Sequence, residues 1–268
     1  MQAFGYSSLM ETDTIELVAF DLDDTLAPSK SSLPPEVAEV LATLLRRVPV
    51  CVISGGNLSQ FETQLLTGLD LPQELARSLH LMPTCGTQYL LHGETGWESQ
   101  YRESLSDSQK ERAAQALEEQ AKVLGFWEDQ TWGPIIEDRD TQITFSALGQ
   151  KAPLDAKQKW DPYGKKKAAL AQAVAPLLPD LEVRGGGSTS IDITAKGVDK
   201  AYGMAKLVEK TGIPAKNMLF IGDRLDEGGN DYPVKAAGWP TRSVSGWQDT
   251  VTVIRELLDD PRLAGAAS

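Results

Sequence analysis

The chain has 268 residues, 41% of them apolar and 24% charged, an ordinary globular balance with room for one large domain or a core carrying an inserted smaller one. A net charge of −12 argues against a nucleic-acid partner or an anionic membrane surface, because both require a basic face. Cys51 and Cys85 lie in separate segments and read as free thiols of a reducing compartment. No apolar run approaches the length of a membrane span. The opening MQAFGYSSLMETDT has neither the basic region nor the apolar stretch of a signal peptide. The expectation is a cytoplasmic protein with residues 1–12 as a loose leader.

Residues 15–20 (IELVAF) form a short continuous apolar run ending in DLDDT, the pattern of a buried parallel strand with a functional loop at its C-terminal end. Pro34 and Pro35 then open a helix, where proline is tolerated in the first turn. Its apolar residues Val37, Val40, Leu41, Leu44 and Leu45 recur at helical spacing. VPVCVIS is a second buried strand, and after a Gly-Gly turn NLSQFETQLL is a second helix. Strand–helix–strand–helix predicts a doubly wound α/β domain.

A third strand near residues 79–83 leads to a CGT loop, and there the texture changes. YLLH-GETG-WESQY and PIIEDRD-TQITFSAL read as hairpins, with a polar amphipathic helix over 107–124 between them and another helix over 165–178 leading into LEVR. This α+β stretch is taken as an inserted domain over 87–186, with the core formed by 13–86 and 187–268. The core pattern resumes with the strand STSIDIT, the helix KGVDKAYGMAKLVEKTG, the buried strand NMLFIG and a last helix WQDTVTVIRELL.

Four constellations carry chemistry, each at a turn beside a predicted strand. Asp21 and Asp23, with Thr25, follow the first strand. Two carboxylates on one extended turn suit a nucleophile that forms an aspartyl phosphate and an acid/base that serves leaving group and water. Such carboxylates repel a phosphate, so a divalent cation is required. Asp223 ends a second buried strand, and strand C-termini of open α/β sheets line one crevice. Ser54-Gly55-Gly56 offers a hydroxyl and backbone N–H groups to a phosphate. Lys200, near a helix start, offers charge to the phosphate or to Asp21.

FDLDDT, VISGG, DKAYGMAKL and IGDRLDEGGND resemble motifs one to four of the haloacid dehalogenase (HAD) superfamily, in the same order. The resemblance implies a Rossmann-like core with a doubly wound parallel sheet, Mg2+ and phosphoryl transfer through an aspartyl phosphate. An insertion between motifs two and three resembles the C2-capped, type IIB members, and among these the phosphomannomutase and sugar-phosphatase branch. By that resemblance Asp21 is the nucleophile and Asp23 the acid/base. Asp21 and Asp223 hold magnesium together with the carbonyl oxygen of Asp23, with Asn230 and Asp231 in support behind them. Arg139, Ser190 and Asp192 contact the sugar phosphate.

The sequence departs from the mutases where they grip the non-reacting phosphate with arginines: Lys30, Gln150 and Lys157 stand at those positions. Gln has no charge, and Lys lacks the bidentate fork of Arg. Ser54 also matches the hydroxyl of HAD phosphatases. These features favour a phosphatase acting on a small phosphorylated sugar or similar metabolite, with a phosphohexomutase as the alternative. An inactive HAD-like binding protein is disfavoured by the intact set Asp21, Asp23, Lys200 and Asp223. The mutase likeness further implies a homodimer through the cap.

Overall fold

The computed structural model describes residues 14–186 and 189–265. The leader expected over residues 1–12 lies outside them. The chain forms β1 (Leu17–Phe20), α1 (Pro35–Leu45), β2 (Val50–Ile53) and α2 (Leu58–Gln60). The last continues as a π-helical turn (Phe61–Leu65) and a 3-10 turn (Leu66–Gly68). α3 (Gln73–Ala76), β3 (Leu79–Met82), β4 (Gln88–His92) and β5 (Trp97–Arg102) follow. Then come α4 (Asp107–Val123), β6 (Ile136–Asp138), β7 (Gln142–Ser146), α5 (Leu154–Trp160), α6 (Lys165–Val174), β8 (Leu181–Gly185) and β9 (Ser190–Ala195). The chain closes with α7 (Lys200–Thr211), β10 (Met218–Gly222), α8 (Tyr232–Ala236), β11 (Thr241–Ser243) and α9 (Trp247–Leu258). None of the described helices is long and apolar enough to cross a membrane.

The chain divides into two compact units, one running to Arg102 and resuming at Asp199, the other Glu103–Val198. The first holds a sheet in the order β11-β10-β1-β2-β3-β4-β5. Strands β11 to β3 run parallel, and β4 and β5 add an antiparallel edge. Every residue of β1, β2, β3 and β10 is buried, as expected for strands covered on both faces. Val18 and Phe20 face a core completed by Val37, Val40, Leu41, Leu44 and Leu45 of α1 and Val251, Ile254 and Leu257 of α9. Leu17 and Ala19 face the other way, onto Met204 and Leu207 of α7 and Val234 of α8. Each fully buried side chain of this size contributes about 1.5–3 kcal/mol. Leu44→Ala would cost about 2–5 kcal/mol, because the cavity adds to the lost transfer energy.

The chain proceeds from β1 toward β2 on one side and from β10 toward β11 on the other, so the strand order reverses between β1 and β10. That reversal opens a crevice at the strand C-termini, where open α/β sheets bind ligands.

The second unit is a four-stranded antiparallel sheet, β6-β7-β9-β8. Ile143, Phe145, Ile191 and Ile193 alternate with polar residues and pack on Ala113, Ala116 and Leu117 of α4 and Leu170 and Val174 of α6. Helix α4 starts with a capping box, Ser106 and Gln109 satisfying each other's backbone N–H groups.

Two expected boundaries move. The expected insertion over 87–186 takes in the hairpin 88–102, but Leu90 pairs with Leu81 and extends the main sheet, so the second unit begins at Glu103 rather than 87. The change from parallel to antiparallel texture marks an edge hairpin, not a domain boundary. STSIDIT was assigned to the core, but β9 lies between β7 and β8, so the unit ends at Val198 rather than 186. Gly185 and Gly186 therefore leave β8 toward β9 of the same sheet; Gly187, the next residue, lies outside the described residues.

Candidate active site

Asp21 follows β1 directly, and its backbone N–H donates to Ile221 of β10 at 3.0 Å. Phe20 is in register with Ile221, so Asp21 and Asp223 leave neighbouring strands at one level. Lys200 is the first residue of α7, whose N-cap Asp199 accepts from the Tyr202 N–H at 2.9 Å and whose end is set by Gly212 at φ 73°. Close backbone contact fixes the start of this helix. A Cβ on Gly86 would come within 2.5 Å of the Cα of Gly203, and one on Gly203 within 2.7 Å of the carbonyl oxygen of Cys85. Cys85 and Thr84 both take left-handed backbone angles, and the Cys85 N–H donates to Ser54 at 2.9 Å. Cys85 therefore borders the Ser54–Gly56 turn.

The ammonium of Lys200, 1% exposed, bridges Oδ1 of Asp21 and Oδ1 of Asp231 at 2.5 Å each. Carboxylate oxygens of Asp21, Asp223 and Asp231 lie within 4.8 Å of one another. Thr25 donates its hydroxyl to Asp223 at 3.3 Å, and the Arg224 N–H donates to Oδ2 of Asp231 at 3.0 Å. Three carboxylates thus face one ammonium. Burial pushes the Asp21 carboxyl well up, Asp231 and Asp23 add to the rise, and Lys200 opposes it. Burial also raises Asp223, with Asp231 contributing. For Lys200 burial pulls downward, but Asp21 and Asp231 outweigh it and hold the ammonium charged. The excess of negative charge and the hard oxygen donors suit a divalent cation such as Mg2+.

The structure brings Asp21, Asp223, Lys200 and Thr25 together in one place. Asp231, read from the sequence as support, contributes a carboxylate to the cluster itself. Asn230 beside it is exposed. Asp23 is turned elsewhere: its carboxylate accepts from the Gln60 and Gln64 amides and from the Lys30 N–H. Neither glutamine stood out in the sequence; their only signal was a spacing of i and i+4 after the glycine turn. Ser54 is buried, and its hydroxyl accepts from the Gly56 N–H at 3.2 Å.

Arg139, Ser190 and Asp192 lie in the second unit. The guanidinium of Arg139 is held by Glu137, Nε at 3.0 Å and Nη2 at 2.8 Å. Ser190 shares a hydrogen bond with Ser146 at 3.2 Å, and Asp192 accepts from Thr144 at 2.8 Å. Gln150 donates to Ser146 at 2.6 Å, and Lys157, nearly buried, donates to the carbonyl of Gln150 at 3.0 Å. Trp127 and Trp160 pack on the core of this unit, whereas Trp132 is 46% exposed.

The sequence model of the eukaryotic phosphomannomutase family matches residues 37–260. The chain belongs to this family. Phosphomannomutase of Saccharomyces cerevisiae is 28% identical over 96% of this chain and 98% of its own length. Human phosphomannomutase 1 is 25% identical over 90% and 92%. Among solved structures, an IMP-bound IMP-nucleotidase of Plasmodium falciparum superposes with a TM-score of 0.64 at 17% identity, covering 92% of this chain and 69% of that one. Trehalose-6-phosphate phosphatase of Aspergillus fumigatus gives 0.54 at 18% identity, covering 91% and 92%. These two likenesses concern the fold. This phosphomannomutase-family member is accordingly a HAD-type phosphoryl-transfer enzyme, as its four motifs imply.

Proposed function

We propose that the enzyme is a phosphatase that hydrolyses the monophosphate ester of a sugar or similar small metabolite. The observation that carries this reading is the state of the polar groups in the second unit. A mutase must hold the second phosphate of a bisphosphate while it turns round. Here Gln150 brings no charge, Lys157 donates to the Gln150 carbonyl, and Arg139 is neutralised by Glu137 through two N–H groups. The hydroxyls of Ser146, Ser190 and Thr144, with the Gln150 amide and the Asp192 carboxylate, suit sugar hydroxyls instead.

Asp21 attacks phosphorus. A bond forms between phosphorus and its carboxylate oxygen while the bond to the ester oxygen breaks, and Asp23 gives that oxygen a proton. Water then attacks the aspartyl phosphate, the bond to Asp21 breaks, and Asp23 takes the proton of the water. Both residues return to their starting states, with an alcohol and inorganic phosphate as products. Lys200 keeps Asp21 oriented and offsets the charge of the incoming phosphate. Thr25, the Ser54 hydroxyl and the backbone of Gly55 and Gly56 bind phosphoryl oxygens. Asp21 and Asp223, with the Asp231 carboxylate and the main-chain oxygen of Asp23 beside them, would hold Mg2+, which supplies positive charge for the phosphoryl group.

Membership of the phosphomannomutase family supports the second reading, a phosphohexomutase. Product analysis separates the two. Hexose 1- and 6-phosphates are incubated with Mg2+, with and without a hexose bisphosphate, and free phosphate and isomer exchange are followed together. Phosphate release without exchange is the expected result; exchange that requires the bisphosphate would overturn the phosphatase reading.

A further inference from the structure

Asp23 is gripped by a built arrangement that the nucleophile does not share. Of roughly four lone-pair directions on an ionised carboxylate, three are taken. Oδ1 accepts from the Lys30 N–H at 2.8 Å and from the Gln64 amide at 3.0 Å, and Oδ2 accepts from the Gln60 amide at 2.8 Å. The orientation of both amides follows from the network. The Gln60 NH2 donates to Asp23 and also to Oε1 of Gln64 at 2.9 Å, so both its protons are committed. That second bond occupies the Gln64 carbonyl and turns its NH2 toward Asp23.

The backbone that presents the pair is unusual in two ways. Gln60 ends α2, whose N-cap Asn57 accepts its N–H at 3.0 Å, and the chain then widens into the π turn Phe61–Leu65. π turns are rare and concentrate at functional sites. Phe61 and Leu65, fully buried, anchor the turn in the core, which leaves Gln60 and Gln64 directed at Asp23. The absence of a side chain at Gly56 makes room for the Gln60 amide: a Cβ there would lie 2.3 Å from its Oε1 and 2.7 Å from its Cδ.

We infer that Gln60 and Gln64 are positioning residues that hold the Asp23 carboxylate so that its remaining Oδ2 lone pair is the one that gives and takes the proton. The inference rests on the assignment of Asp23 as the proton-transfer group and goes beyond it by naming what aims that group. The glutamines touch neither phosphate nor metal; they act through Asp23. Their effect therefore scales with the need for proton transfer. An ester with a poor alkyl leaving group depends on the proton, and one with a good nitrophenyl leaving group hardly does.

The test compares Gln60→Met, Gln64→Met and Asp23→Asn with the parent enzyme in Mg2+, under single-turnover conditions, on nitrophenyl phosphate and on glycerol phosphate. Met preserves length and removes the donor. Each Gln variant is expected to lose about tenfold to a hundredfold in the rate of phosphoryl transfer from glycerol phosphate, a part of the roughly hundredfold to ten-thousandfold that acid–base assistance supplies. The loss on nitrophenyl phosphate is expected to be only a few-fold, with KM little changed on both. Equal losses on the two esters, or no loss, in Gln variants while Asp23→Asn shows the leaving-group dependence would overturn the inference alone. Absence of that dependence in Asp23→Asn as well would remove the acid/base assignment and the inference with it. Gln64 is 2% exposed, so its variant must first show a native thermal transition; Gln60, partly exposed, decides the matter if it does not.

Discussion

Lys200, Asp21 and Asp231 of the first unit are almost completely buried ionisable side chains, while Gln142, Thr144 and Ser146 of the second are buried as deeply and have no ionisable group. In the first unit each charge answers another, and three carboxylates around one ammonium still leave a demand for a cation. In the second unit several buried polar groups pair with one another: Gln142 donates to Thr144, Thr144 to the Asp192 carboxylate, and Gln150 to Ser146. A buried charge is costly unless paired, whereas a neutral network can be complete in itself. The first arrangement suits bond making at phosphorus. The charged cluster of Asp21, Asp223, Asp231 and Lys200 is intact in the first unit; of the departures from the mutases, Gln150 and Lys157 lie in the second unit and Lys30 in the first.

The comparison breaks most sharply at Asp21. Asp21→Asn keeps the shape and removes the nucleophile, and phosphate release should fall on the order of 10⁴-fold; turnover near the parent rate would remove the assignment. Lys200→Met leaves Asp21 and Asp231 buried without their partner. In the presence of EDTA it should lose about 3–5 kcal/mol in urea unfolding, and added Mg2+ should recover part of this loss. In the parent protein, Mg2+ at about 100 times its dissociation constant should raise stability by about 2.7 kcal/mol, and EDTA should stop phosphate release. No thermal shift with Mg2+ would mean that the carboxylate cluster does not hold it.

A smaller effect concerns pH. His80 in β3 is buried beside the Tyr89 hydroxyl at 2.7 Å, and burial lowers its pKa from 6.5 to about 4. The unfolded chain therefore takes up a proton first as pH falls. Stability contributed by the neutral imidazole is complete above 6.5 and is lost progressively down to about 4, by up to about 3 kcal/mol. His80→Gln should flatten that part of the stability–pH curve. The mildest test sharpens the comparison from the second unit. Gln150→Arg restores a bidentate phosphate donor and should tighten inhibition by a hexose bisphosphate about tenfold, worth roughly 1.4 kcal/mol, with kcat on monophosphates little altered. No change in that inhibition would disconnect Gln150 from the second phosphate.

Much of the first unit was legible because its signals are local. Four-residue buried strands read as unbroken apolar runs, α1 and α9 show helical spacing, and each acidic motif directly follows a strand. Asp21 and Asp223 could be named because strand ends of a doubly wound sheet converge whatever the intervening length; Lys200 stood out as a lysine at a helix start. Residues 88–102 and 190–195 were misassigned because alternation reveals a strand but not its partner. Only pairing with Leu81 in one case, and with β7 and β8 in the other, decided their units.

The sequence by itself determined the fold class, the order of the motifs and the chemistry available at the end of each strand, since these depend on residue type and short-range periodicity. The tertiary structure decided which carboxylates gather around Lys200, moving Asp231 into the cluster and turning the Asp23 carboxylate toward Gln60 and Gln64. It also decided that Arg139 forms an ion pair with Glu137 and that Lys157 donates to the Gln150 carbonyl. The physical reason is range. A hydrogen bond or ion pair is settled within a few ångströms, and the chain brings Lys200 to Asp21 across 179 residues of sequence.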